Sequence, residues 1–171
     1  DLAAAERIEA LRGPLAQLHG NAAGGVVQVF SRRGREPAEL GAELGAGSFG
    51  TRRLGLSAGG VFGGVSTAID VSRLETDGYR AWSSAERRNA GAVLETTGAA
   101  GTRATLVVQD FDQPRALDPG GLTRAQLAAD PRQASPAAVA QQARKTVSQR
   151  QLGLVVEHPL DADRTLTARV H

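Results

Sequence analysis

Histidine, aspartate and serine supply most of the chemistry a protein surface can perform, and here their spacing argues against a catalytic centre. His19, His158 and His171 stand far apart in the 171 residues, with no His-x-x-x-His or His-Glu spacing that would hold a metal. His19 reads as a loop or packing residue. Asp110/Asp112 and Asp161/Asp163 have the spacing of an acid pair or of calcium ligands. Asp161-Ala162-Asp163 better suits a turn, in which aspartate side chains accept bonds from nearby backbone N–H groups. Serine is common, yet no Gly-x-Ser-x-Gly elbow is present. The glycine-rich stretch 20–25 lacks the Gly-Lys-Ser/Thr ending of a phosphate loop. Cysteine is absent, which excludes a disulfide framework and a thiolate metal site. These residues predict a protein that is not an enzyme and has no catalytic residue, metal site or cofactor.

Charge narrows the partners. Twenty basic residues, nearly all Arg, stand against 18 acids, for a net charge of +2. The arginines are scattered among the acids, which argues against nucleic acid as a partner. Two sets of arginines could still bind. Arg7 and Arg12 lie near the N-terminus beside Glu9. Arg73, Arg80, Arg115, Arg124 and Arg132 fall in predicted loops, with Tyr79 and Trp82 among them in Asp77-Gly78-Tyr79-Arg80-Ala81-Trp82.

The elements that must position these residues come in two regimes. Up to about residue 35 the pattern is short and mixed. Leu2–Glu6 is Ala-rich and predicts a helical turn capped by Asp1. Residues 7–12 alternate and predict a short strand. Gly13 breaks it, and Pro14 suits the first position of a helix through Leu18. Residues 20–25 form a glycine-tolerant loop, and Val26–Phe30 predicts a buried strand. The expected N-terminal unit is therefore small and mixed α/β.

Beyond Arg35 the period becomes two, predicting strands at about 38–47, 51–60, 64–72, 87–97, 102–112, 146–158 and 164–171. One face of each is apolar and the other charged or glycine; at Val107-Val108 either face could be the apolar one. Each run has about ten residues, the length a tilted strand needs to cross a membrane. Connections alternate in length. Short turns are expected at 61–64, 98–101 and 159–163, and long loops at 73–86 and 111–145, with Ser48–Gly50 the one short connection on the long-loop side. Thr123 predicts an N-cap for a helix over 122–129 with Pro131 past its end, and a second helical turn follows Pro136. The expected fold class is mainly β: a partial antiparallel transmembrane β-barrel of about seven meander strands after a mixed α/β remnant. A soluble all-β binding or adhesion module would share the alternation, but would less readily explain the succession of long and short connections.

Residues 6–34 add a resemblance. Glu6-Arg7-Ile8-Glu9, Leu11-Arg12-Gly13-Pro14, Leu18 followed by Gly20, Gly24-Gly25, and the apolar run ending in Ser31-Arg32 resemble the end of the plug domain of TonB-dependent outer-membrane receptors. His19 stands where that family most often has Tyr, and Gln28 where it often has Asn; neither alters the spacing. The resemblance implies a plug part over residues 1–35 and barrel strands over 36–171. It implies a siderophore-type receptor in the bacterial outer membrane, with a ferric siderophore as substrate and outer-membrane lipid around it. TonB and its inner-membrane energy complex would act through a Ton box lying outside this chain. Cobalamin or a sugar is the alternative substrate. Receptors of this family set plug arginines against barrel-wall glutamates, which makes Arg12, and with it Arg7, the candidate plug–barrel contacts. The outer loops with Tyr79, Arg80, Trp82, Arg115 and Arg124 become the candidate ligand rim. The chain opens at Asp1, without an initiator Met or signal peptide, and stops inside a predicted strand at His171. The expectation is a fragment, not competent for transport alone.

Overall fold

The computed structural model describes residues 4–13 and 24–171. The chain is mainly β, in two antiparallel sheets. β1 (Ala5–Leu11) pairs with β2 (Val26–Ser31) in a two-stranded ribbon. The other strands are β3 (Glu39–Ala46), β4 (Arg52–Phe62), β5 (Val65–Thr76), β6 (Ala85–Thr97), β7 (Arg103–Leu117), β8 (Arg144–Pro159) and β9 (Thr165–Val170). They form one seven-stranded sheet in sequence order. Each strand pairs with its sequence neighbours, so the sheet is a meander, and β3 and β9 are its two edges. All seven expected strands are present.

The register sorts the side chains into two unlike faces. Leu40, Leu56, Ile69, Ala92, Val108 and Leu152 fall on one face through the pairs Leu40↔Ala58, Leu56↔Val71, Ile69↔Ala92, Ala92↔Val108 and Val108↔Leu152. Ser57, Asp70, Gly91, Gln109 and Gln151 fall on the other. The Val107-Val108 ambiguity resolves with Val108 on the apolar face and Val107 opposite Gly153 on the polar one. Among the described residues the apolar face has no second sheet against it: Leu40 is 90% exposed, Leu44 83% and Leu152 63%. Among the described residues, therefore, nothing closes a sandwich over the apolar face.

Several expectations need correction. Ala5 and Glu6 are strand, not helix, because backbone pairing to β2 outweighs the helical propensity of an Ala-rich run. β2 is not buried: Val27 is 69% exposed and Val29 55%. The expected helix over 14–18 lies outside the described residues, as do His19, Pro14 and Gly20. Strands β5 to β8 run further at the long-loop end than the apolar alternation does, so Arg73 and Arg115 lie in strands and the loops shrink to 77–84 and 118–143. β7 tolerates Pro114 because the ladder to β8 shifts between Gln113 and Ala116, where a residue without an N–H costs no ladder bond.

The short-turn end behaves as expected. The Oδ1 of Asp161 accepts from the backbone N–H groups of Asp163 (3.1 Å) and Arg164 (2.9 Å), so this aspartate pair builds a turn. Asp110 instead receives a hydrogen bond from Arg150 on the neighbouring strand at 3.0 Å. No group of His and carboxylates able to hold a metal occurs among the described residues.

Candidate functional site

Three connections meet at the long-loop end. The tightest is the β3–β4 turn, where Phe49 (φ 59°) and Gly50 (φ 66°), at the tip of the hairpin beyond the Ala46↔Arg52 pair, both adopt left-handed backbone. Glycine accepts this freely, but a bulky aromatic residue does not. Phe49 is fixed by its neighbours. Its carbonyl accepts from Asp77 N–H at 2.9 Å and from the Thr76 hydroxyl at 3.3 Å. Its ring meets Tyr79 edge to face, with centroids 5.3 Å apart. The Arg132 guanidinium, from the 118–143 loop, lies 5.5 Å from the Tyr79 ring centroid. Phe49 and Tyr79 are both nearly half exposed, so the cluster keeps an open aromatic surface beside a cation.

Behind this surface the long loop is braced from within. α1 (Arg124–Ala129) carries the expected cap: Thr123 Oγ1 accepts from Gln126 N–H at 3.2 Å, and Gln126 Oε1 accepts from Thr123 N–H at 2.9 Å. α2 (Pro136–Ala140) begins on its proline, as Pro136 predicts. Asp118 N–H donates to Ala143 C=O at 3.0 Å and closes the base of the loop.

Arg80 ties this loop to its neighbour. Its Nε donates to Gln133 C=O at 2.9 Å and its Nη1 to Gly120 C=O at 2.8 Å. Its Nη2 donates to Pro119 C=O at 3.2 Å. Trp82 Nε1 donates to Ala143 C=O at 2.9 Å. These two residues of the expected ligand rim therefore have their donors committed to the loop's own carbonyls. Arg115 sits opposite Glu86 on paired strands, and Arg124 is exposed at the start of α1. Phe49 and Arg132 join Tyr79 in place of Arg80 and Trp82. Sequence reading passed over Phe49; its signal was an aromatic residue immediately before the glycine of a short hairpin connection.

The second arrangement lies on the polar face, where the β1–β2 ribbon rests. A cleft of about 430 Å³ separates the ribbon from β6, β7 and β8; Val29, Ser31, Asp70, Asn89, Gln109 and Gln149 line it. Arg7 stays within the ribbon, with Nε 2.8 Å from Glu9 Oε1 and its guanidinium carbon 4.2 Å from the Phe30 ring centroid. Arg12 is exposed just past the end of β1. Glu6, at the start of the plug motif, is paired with Arg35. Gly13 (φ 98°) and Gly25 (φ 124°) bracket the described ends of the ribbon, and a Cβ on Gly25 would lie 2.8 Å from Leu11 O. Gly24 precedes β2.

An ion pair and a hydrogen bond join this N-terminal unit to the sheet, and sequence reading singled out neither Arg33, Glu95 nor Ser66. Arg33 Nη1 lies 2.9 Å from Glu95 Oε2, and the Ser66 hydroxyl donates to Gly34 C=O at 2.8 Å. The available signal was Glu95 itself, an acid in the polar register of a strand whose other face is apolar. No known family model matches the chain.

Proposed function

We propose that the chain is the end of a plug and the first strands of the barrel of a TonB-dependent outer-membrane receptor, serving uptake of a ferric siderophore. One observation carries the reading. The seven-stranded meander leaves its apolar face bare, while the N-terminal ribbon rests on the opposite, polar face. A bare apolar face is stable in contact with lipid acyl chains, and full burial of each large aliphatic side chain is worth about 1.5–3 kcal/mol. A polar face bearing a strand ribbon fits a wet lumen holding a stopper. The motif over residues 6–34 supports the same assignment.

In this reading the 48–50, 77–84 and 118–143 connections face outward. Their Phe49, Tyr79 and Arg132 surface would meet an anionic chelate by stacking and charge. TonB would engage a segment N-terminal to the ribbon. Edges β3 and β9 would pair with further strands, because unpaired backbone groups are costly in lipid, and transport would require the closed barrel.

The test is insertion. The purified chain, diluted from denaturant into phosphatidylcholine vesicles, should float with the lipid, keep a β-sheet circular dichroism spectrum, and protect β4 to β8 from protease. A chain that stays monomeric in water and free of vesicles would overturn the reading in favour of a soluble all-β module.

A further inference from the structure

We propose that Arg33 and Gly34 form a fixed pin between the N-terminal ribbon and the sheet, about which the β1–β2 ribbon can be lifted from the polar face as a unit. The pin follows from the chain's own contacts; only the purpose of the movement, opening a path past a stopper, rests on the uptake reading.

Gly34 is buried where the chain crosses the polar face of the β4–β5 pair. A Cβ added there would fall on the backbone oxygens of Thr67 and Gly60, and 2.6 Å from Thr67 N. Those atoms belong to the Gly60↔Thr67 pair of the ladder and cannot yield without breaking it. Gly59 lies directly beneath, where even a Cβ would sit at an ordinary 3.8 Å from Gly34 Cα. The glycine at 34 therefore allows a backbone contact that any side chain at that position would prevent.

Polar bonds fasten the same point. The Ser66 hydroxyl holds Gly34 C=O, and Arg33 meets Glu95, whose side chain is only 16% exposed. Thr105 Oγ1 donates to the same Glu95 oxygen at 3.2 Å, which orients the carboxylate toward Arg33. A half-buried charge-assisted bond is stronger than a neutral one. The anchorage thus engages β4, β5, β6 and β7 within two residues of chain.

The ribbon beyond the pin is seated differently. Facing the sheet it presents Ala4, Ala5, Val29 and Ser31, and an unfilled cleft of about 430 Å³ lies between them and Asp70, Asn89, Gln109, Phe111 and Gln149, so this seat is not close-packed. Lifting the ribbon from such a seat gives up few close contacts, whereas freeing Arg33 and Gly34 breaks an ion pair and a half-buried hydrogen bond.

Amide hydrogen exchange of the full chain in detergent micelles tests the pin. In the wild type, β2 amides should exchange faster than those of β5 and β6. Gly34→Ala should raise exchange over residues 26–35 at least tenfold and leave β5 and β6 unchanged. Glu95→Gln should give a smaller rise, and the swap Arg33→Glu with Glu95→Arg should reverse part of it. The chain has no cysteine, so spin labels can be placed at will. A pair at Val29 and Gln149 should give a broad distance distribution, and a pair at Arg35 and Thr97 a narrow one. Unchanged exchange in Gly34→Ala and Glu95→Gln, an equal rise in β5 and β6, or equally narrow distributions would overturn the proposal. If Gly34→Ala does not fold, Glu95→Gln and the label pairs decide alone. Failure of vesicle insertion would remove the uptake reading and leave this exchange contrast intact.

Discussion

The Phe49 ring stands nearly perpendicular to Tyr79, at 85°, on a backbone that aromatic residues rarely adopt. Left-handed backbone costs a non-glycine residue about 1–2 kcal/mol, and an edge-to-face pair returns about 0.5–1.5 kcal/mol. The two effects nearly cancel. Phe49→Asn, which accepts the backbone and loses the ring, should therefore change stability by less than about 1 kcal/mol. Under the uptake reading the same variant should weaken ligand capture by the intact receptor. Denaturant unfolding checks the first outcome and ligand titration the second; a loss of several kcal/mol would show that the aromatic pair holds the loop end together.

Arg80 should behave in the opposite way. Its three bonds go to carbonyls of the 118–143 loop, and each bond from a charged group contributes about 1.5–3 kcal/mol when its partner has no substitute. Arg80→Ala should open the loop to protease between Asp118 and Ala143 and leave β4 to β6 protected. Arg80→Lys should rescue little, because one ammonium cannot reproduce the planar fork. A protease pattern identical to wild type would refute the brace.

Neighbouring positions on β8 separate the two faces. Leu152 lies on the apolar face and Gln151 on the polar one. Leu152→Arg should disfavour insertion into vesicles by about 2–4 kcal/mol, the cost of arginine near the middle of a bilayer. Gln151→Arg should alter insertion by less than about 1 kcal/mol, as expected for an exposed surface change. Equal effects at the two positions, read by urea titration of the lipid-bound chain, would remove the lipid-facing assignment.

The β8–β9 turn carries a pH dependence. The Arg164 side chain, then the Asp163 N–H, hold the Asp161 carboxyl below its ordinary range. A depressed folded-state value means the contribution is complete above the unfolded aspartate value, about 3.9. It is lost as pH falls through the lower folded value. Exchange at the β8–β9 hairpin should therefore rise below about pH 4. Asp161→Asn should abolish that dependence by removing the titrating group.

Strand number and order were legible because every strand crosses the sheet with one apolar and one polar side, and a period of two survives any detail of packing. Strand length was not. Beyond Val71 and before Ala90 the apolar face carries Arg73, Glu75, Glu86 and Arg88, which pair with one another across β5 and β6. With charges where apolar residues would mark the apolar-side register the alternation vanishes, so these segments read as loop. Arg80 and Trp82 looked like ligand residues for a related reason. Their partners are backbone carbonyls of Gly120, Pro119, Gln133 and Ala143, and a carbonyl leaves no mark in a sequence. The close approach of Gly34 was not legible, because it is made to backbone atoms of Gly60 and Thr67, on strands some 26 and 33 positions further along.

The seven strands alternate in direction, so β3 and β9 point the same way. An unbroken antiparallel ring therefore requires an odd number of additional strands between them. Rings in which copies repeat head to tail, β9 beside β3, would instead carry a parallel seam at each junction, with slanted and slightly weaker bonding. Chain direction alone thus favours completion by a different set of strands over head-to-tail self-assembly.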